Sequence, residues 1–273
     1  MSTEEITKIA VSSIPFKVQS ISLVIPVFNQ QSKISYSLEK IKQAVESSFS
    51  NYEMIIVNDG STDNTLAMLK DIAKTDEHLR ILSYTPNRGK GYAVRQGVLH
   101  SHGDAVIFLD SDLDISPDSI KDYVEMLSTS DLVIASKRHP ESSITITRSR
   151  TFLSRAFNLI IRAAIGLRQK DTQTGLKAGN GEMMRAIFRN ISVKRYAFDI
   201  ELFVMASILH LKIHEMPVIM KIERRFKAKE IIKMFLDVTR IWYNYRIAHR
   251  YQDEILHLKI HEMPVIISVL KML

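Results

Sequence analysis

Short apolar runs alternate with stretches of helical spacing over the first 140 residues. Ser22–Phe28 (SLVIPVF), Met54–Val57, Arg80–Tyr84, Ala105–Leu109 (AVIFL) and Leu132–Ala135 have the length and residue types of strands. Between them, Ile34–Val45, Thr65–Ala73, Tyr92–Leu99 and Ser119–Leu127 place apolar residues three and four apart, which predicts helices. This alternation predicts an α/β fold, a mainly parallel sheet flanked by helices on both faces. Ligands of such sheets bind at the carboxyl ends of the strands. Asn29, Asp59 and Asp110 each follow the end of a predicted strand, so a single cleft gathers all three.

Past residue 140 the pattern changes. Arg148–Leu167 reads as a helix with a wide apolar face and scattered arginines, followed by a polar, glycine-bearing loop, KDTQTGLKAGNGE. Phe198–His210 reads as helical, Lys212–Met220 as extended, and Glu230–Tyr251 as a long amphipathic helix. The segment ILHLKIHEMPVI at 208–219 recurs letter for letter at 255–266. Two copies do not make a solenoid, which needs about three or more repeats. The second copy, after the amphipathic helix, is expected to have no catalytic role.

Composition narrows the chemistry. The 273 residues include no cysteine, which removes disulfides, cysteine-ligated zinc and thiol nucleophiles. No apolar run approaches the ~18 residues that span a bilayer, so no transmembrane span is expected. The polar N-terminus does not resemble a secretory signal, and the default compartment is the cytosol. The net charge is +7, and residues 221–250 carry nine basic residues against three acids. With Trp242, Tyr243 and Tyr245 among them, this stretch suits an anionic membrane surface or a solvated helix face. A nucleic-acid binder would spread such charge more broadly, and no nucleic-acid partner is expected.

Three constellations carry candidate chemistry. Asp110, Ser111 and Asp112 follow a buried-type strand, and Asp114 adds a third acid at the same spacing. Carboxylates so placed in a loop suit Mg²⁺ or Mn²⁺, which also bridge phosphate oxygens. Asp59, in Val57-Asn58-Asp59-Gly60-Ser61, has two readings: a turn or helix cap, or an acceptor for a nucleotide base. In Arg88-Gly89-Lys90-Gly91 the glycines permit close backbone approach and Lys90 can neutralise a phosphate. His210 and His214 stand four apart, but the residues between them read as a helix-to-strand change, no HExxH pattern is present, and the pair reads as structural.

In this order VIPVFNQ, VNDGSTDNT, NRGKGYAVRQG, FLDSDLD and DTQTG resemble the family 2 glycosyltransferases with the GT-A fold, a Rossmann-like sheet flanked by helices. Within that family SKRH, KDTQTGLKA, FDIE and EMPV are most similar to the dolichyl-phosphate β-glucosyltransferases. The resemblance implies an inverting, metal-assisted transfer of a hexose onto a dolichyl or other polyprenyl phosphate. It makes glucose from UDP-glucose the first choice and Mg²⁺ or Mn²⁺ the cofactor. Mannose from GDP-mannose, or a soluble enzyme with a saccharide acceptor, are the alternatives. With the resemblance covering roughly 20–250, the chain is expected to divide into a 1–20 extension, a catalytic domain over 21–227, an amphipathic membrane-interface helix over 228–252 and a duplicated tail over 253–273. The enzyme would sit at the cytoplasmic face of a membrane, serving protein glycosylation or glycan assembly.

Carried over by position, the resemblance places Pro26, Val27, Phe28, Gln30, Asp59, Lys90, Asp110, Ser111 and Asp112 around the donor. Phe28 and Gln30 depart from the usual P-x-Y-N-E pattern, losing a hydroxyl and a carboxylate. Asp110, Asp112 and Asp114 would hold the metal, and Asp112 and Asp171 would be catalytic, Asp171 as base or positioner. Lys137 or Arg138, with Arg150 and Ser154, would bind the acceptor phosphate. Asp199 and Glu201 of FDIE are either helix caps or groups that orient the acceptor loop.

Overall fold

The computed structural model describes residues 17–145, 161–162, 165–167, 169, 171, 174–195, 197–221 and 228–251, with side chains except at 221 and 228–235. Arg150, Ser154, most of the 148–167 helix and the 253–273 tail lie outside the described residues.

Seven strands form the main sheet: β1 (Ile21–Val27), β2 (Tyr52–Asp59), β3 (Leu79–Tyr84), β4 (Ala105–Leu109), β5 (Leu132–Ala135), β7 (Leu176–Asn180) and β8 (Ile213–Met216). Their order is β3-β2-β1-β4-β7-β5-β8. All pairings are parallel except those of β7, which runs antiparallel to both β4 and β5. A second, two-stranded sheet pairs β6 (Ser143–Thr145) with β9 (Ile219–Lys221).

Strand side chains alternate between two apolar layers, as the pleat requires. Val24, Ile55, Val57, Val106, Phe108, Leu132 and Ile134 face one layer. Helices α3 (Lys90–Leu99), α5 (Gly181–Asn190), α6 (Phe198–Ile208) and α7 (Ala228–Arg246) pack there. Leu23, Ile25, Met54, Ile56, Ile107 and Val133 face the other, under α1 (Ile34–Glu46), α2 (Thr65–Ala73) and α4 (Ile120–Met126). Among the described residues no helix is long and apolar enough to cross a membrane.

The structure departs from the sequence expectation at several points: α5 and β6 are not among the expected elements, and the helix expected over Glu230–Tyr251 spans Ala228–Arg246. Residues 176–180, expected as loop, form β7. Leu-Lys-Ala-Gly-Asn has weak strand propensity, but ladders on both sides decide the matter. The extended stretch 212–220 divides into β8 and β9 around Pro217, which has no N–H to give to a ladder. Asp59 is the last residue of β2 rather than a residue beyond it.

Candidate active site

The carboxyl ends of β1, β2 and β4 open onto one edge of the sheet. At the end of β1, Asn29 adopts a left-handed conformation (φ 50) and turns the chain. Its N–H donates to Ser61 Oγ at 3.0 Å, and its Oδ1 accepts from Thr62 N at 2.8 Å. Gln30 N donates to Thr65 Oγ1 at 2.8 Å. These bonds join the turn after β1 to the turn after β2. Phe28 is left 41% exposed, an apolar platform at the mouth of the edge. Pro26 is half-buried on β1, while the Val27 side chain is buried in the core among α1 residues.

Asp59 is buried and fully engaged. Its Oδ1 accepts from Arg88 N at 2.8 Å, and its Oδ2 from Gly89 N at 2.9 Å and Asn87 Nδ2 at 2.8 Å. The carboxylate therefore fixes the 87–89 loop, a use of Asp59 that neither sequence reading contained. Gly89 has φ 99, and a Cβ there would meet the Lys194 carbonyl oxygen at 2.6 Å. The Arg88 guanidinium lies 5.6 Å from the Tyr84 ring and 4.9 Å from the Tyr92 ring, and donates to the Tyr92 hydroxyl at 2.7 Å. Burial and the nearby Asp59 carboxylate push the Tyr84 hydroxyl well above the usual phenol range.

Lys90 opens α3, and its Nζ meets Asp110 Oδ1 at 2.6 Å. Burial works against the Lys90 ammonium, but Asp110, Asp199 and Asp112 outweigh it and hold its pKa above the ordinary lysine value. A Cβ at Gly175 would run into the Asp110 carboxyl, so the backbone there lies close beside it. Beyond Asp110, Ser111 is buried, and Leu113 takes a left-handed conformation (φ 59), rare for a non-glycine residue. That bend lets Asp114 N donate to Asp112 Oδ1 at 3.2 Å. Asp112 and Asp114 line an open groove of about 840 Å³ with Lys33, Tyr36, Ile219 and Met220.

This acidic turn offers hard oxygens on one short loop. Among the described residues no group of three His, Asp or Glu side chains is arranged to hold a metal unaided. Mg²⁺ needs only one or two carboxylates when phosphate oxygens and water complete its shell. The donor set fits a cation that arrives with a diphosphate, with Asp112 beside the groove and Asp110 already paired to Lys90.

Asp171, only 1% exposed, gathers a third cluster. Its Oδ2 accepts from Lys137 N at 2.8 Å and Thr174 Oγ1 at 2.8 Å, with Lys137 Nζ at 3.5 Å. Such a buried, multiply bonded carboxylate suits positioning better than proton abstraction. Arg138 follows with its N–H on Ser136 Oγ at 3.4 Å.

The FDIE acids do not cap α6, whose start has no side-chain cap bond. Glu201 accepts from Ser192 N, Val193 N and the Tyr251 hydroxyl, at 3.0, 2.8 and 2.8 Å, and so ties the chain beyond α7 to the core. Asp199 accepts from Lys177 Nζ at 2.8 Å. Lys177 was not singled out in the sequence; a lysine in a polar stretch carries no mark of burial. His210 ends α6 in a left-handed turn and His214 lies on β8, so the two belong to different elements.

Comparison with known proteins agrees with this architecture. The family model described as Glycosyl transferase family 2 matches residues 22–192. A dolichyl-phosphate beta-glucosyltransferase of Trichomonas vaginalis is 31% identical over 240 residues, covering 82% of this chain and 71% of that protein. The Saccharomyces cerevisiae protein of the same name is 32% identical over 220 residues, covering 72% of this chain and 66% of its own. Among solved structures, glucosyl-3-phosphoglycerate synthase from Mycobacterium tuberculosis, in complex with UDP, superposes with a TM-score of 0.62 at 20% identity. That match covers 89% of this chain and 84% of the synthase. The strand order, the loops gathered at one sheet edge and these likenesses converge: the chain is a glycosyltransferase and belongs to glycosyl transferase family 2.

Proposed function

We propose that this glycosyltransferase moves glucose from UDP-glucose onto dolichyl phosphate with inversion at the anomeric carbon. The observation that carries the reading is the pairing of two lysines with carboxylates at one sheet edge, Lys90 on Asp110 and Lys137 on Asp171. One cation suits a leaving diphosphate and the other an incoming phosphate. The relatives' names supply the substrates by analogy.

In this scheme Phe28 offers a flat apolar surface to the base, with Pro26, Gln30 and Ser111 framing the donor and Asp59 acting through the 87–89 loop. An oxygen of the acceptor phosphate forms the new bond to the anomeric carbon as the bond to UDP breaks. The bonding pair leaves on the β-phosphate oxygen. The phosphate is already ionised at neutral pH, so no base is required, and Asp171 holds Lys137 in place instead. Lys90 offsets the charge that builds on the leaving diphosphate. A Mg²⁺ or Mn²⁺ ion held by Asp112, with Asp110 and Asp114 near, would supply further charge compensation there. The M. tuberculosis synthase has been solved with Mn²⁺, UDP-glucose and phosphoglyceric acid.

The lipid acceptor calls for a membrane surface, and the exposed face of α7 is our candidate for reaching it from the cytoplasmic side. The test is UDP release from UDP-glucose with Mg²⁺ or Mn²⁺, with and without dolichyl phosphate in detergent. Release that requires the lipid and yields glucosyl lipid is expected. Release indifferent to the lipid overturns the acceptor, and turnover of GDP-mannose alone overturns the donor.

A further inference from the structure

Lys177 and Asp199 form an ion pair inside the protein. Lys177 lies on β7 opposite Phe108 of β4 and Ile134 of β5 and is 1% exposed. Its Nζ sits 5.2 Å from the Phe108 ring and 6.0 Å from the Phe203 ring. It donates to Asp199 Oδ1 at 2.8 Å and to the Thr174 carbonyl oxygen at 2.7 Å. Burial pulls the Lys177 pKa below its ordinary value and pushes that of Asp199 above its own. Replacing such a pair by apolar side chains of similar volume is often neutral or stabilising, so stability alone does not account for it.

The contacts on either side give the pair a direction. Thr174, whose carbonyl Lys177 holds, donates its hydroxyl to Asp171, and Asp171 holds Lys137 through N–H and Nζ. Gly175, the next residue, is pressed against Asp110. Asp110 in turn pairs with Lys90, which the Asp199 carboxylate also stabilises. A chain of contacts thus runs from Lys137 through Asp171, Thr174 and Gly175 to Asp110 and Lys90; its two ends are partly exposed, and the buried Lys177–Asp199 pair braces its middle.

We propose that Lys177 and Asp199 are positioning residues that set the spacing between Lys90, on the donor side, and Lys137, on the acceptor side. This rests on the assignment of Lys137 to the acceptor phosphate. In-line transfer needs reacting atoms about 3–3.5 Å apart, and a displacement of about 1 Å costs on the order of a hundredfold in rate.

The double variant Lys177→Met/Asp199→Asn removes both charges together and leaves neither buried alone. It is expected to keep a native thermal midpoint and a UDP affinity within about threefold, while kcat for glucose transfer to dolichyl phosphate falls about a hundredfold. A folded double variant with wild-type kcat overturns the proposal. Should that variant fail to fold, Thr174→Val, which breaks the link to Asp171 without exposing a charge, is expected to lower kcat about tenfold. Unchanged kcat in Thr174→Val overturns the proposal equally. Amide hydrogen exchange separates this idea from the substrate assignment. Lys137 N and residues 174–177 should exchange at least about tenfold faster in the variant that folds, and unchanged exchange there overturns the positioning role. Absence of lipid-dependent transfer in the wild type overturns only the acceptor assignment.

Discussion

Gly89 donates its backbone N–H to both oxygens of Asp59, at 3.2 Å to Oδ1 and 2.9 Å to Oδ2. With Arg88 N on Oδ1 and Asn87 Nδ2 on Oδ2, an ionised carboxylate organises the whole loop before Lys90. An amide cannot reproduce this, because its NH₂ would face donors. Hydrogen bonds to charged groups contribute about 1.5–3 kcal/mol each. Asp59→Asn should therefore lower kcat/KM for the nucleotide sugar by about 10- to 100-fold. Steady-state kinetics on the folded variant checks this, and an unchanged kcat/KM would show that the loop holds its shape without Asp59.

The same loop sets a steric demand at Gly89. Its φ of 99 lies where side chains are strained, and a Cβ would sit 2.6 Å from the Lys194 carbonyl oxygen. Backbone strain of this kind costs about 1–3 kcal/mol. For a domain of this size that is a fall in Tm of about 2–10 °C in Gly89→Ala. Calorimetry that finds no fall would mean that the 194–195 segment moves aside without cost.

Much of the fold is legible in the sequence because buried parallel strands read as short apolar runs, as β1, β4 and β5 do. β7 is not legible: nothing in Leu-Lys-Ala-Gly-Asn marks a strand until β4 and β5 flank it. The site divides the same way. Asp59, Lys90, Asp110 and Asp112 are visible as polar residues near predicted strand or helix ends. The pairings are not: Asn87 lies 28 residues beyond Asp59, nothing local matches Lys90 to Asp110, and the Lys177–Asp199 pair spans 22 residues. Local pattern shows where a charged group stands, and only tertiary packing shows which group opposes it.

Lys137 presents its ammonium beside a buried carboxylate at the sheet edge, with about a fifth of the side chain exposed. If that ammonium grips the acceptor phosphate, Lys137→Met should raise KM for dolichyl phosphate at least about tenfold and leave KM for UDP-glucose within about twofold. Lys137→Arg should restore most of the loss, since the charge returns. Equal effects on both KM values would point to a collapsed loop instead.

Glu53, at the opposite edge of the sheet, gives a pH signature. Burial raises its pKa, but Ser22 Oγ, His102 N and Arg80 together hold the carboxyl below its ordinary value of 4.5. A depressed pKa means that Glu53 contributes stability above the unfolded value and loses it as pH falls through the folded one. Glu53→Gln should lower Tm at neutral pH by about 2–10 °C. The gap from the wild type should close on acidification below the ordinary glutamate range. A gap independent of pH would assign the loss to packing rather than charge.

The exposed side of α7 bears on how the enzyme would reach the proposed lipid acceptor. Val238 and Ile241 are buried against the core, while Leu236, Tyr243 and Ile247, just past the helix end, are exposed. Together with Arg240 their spacing of four, three and four residues makes one stripe, bordered by the exposed Trp242. Apolar and aromatic groups beside arginines favour the headgroup plane of an anionic bilayer. The protein should float with phosphatidylserine-rich vesicles and much less with phosphatidylcholine vesicles, and salt should weaken the binding. Replacing Leu236 and Tyr243 by serine should reduce partitioning about tenfold or more while leaving Tm nearly unchanged, because neither side chain packs in the core. Wild-type protein that stays in the soluble fraction with anionic vesicles would remove α7 as the membrane contact.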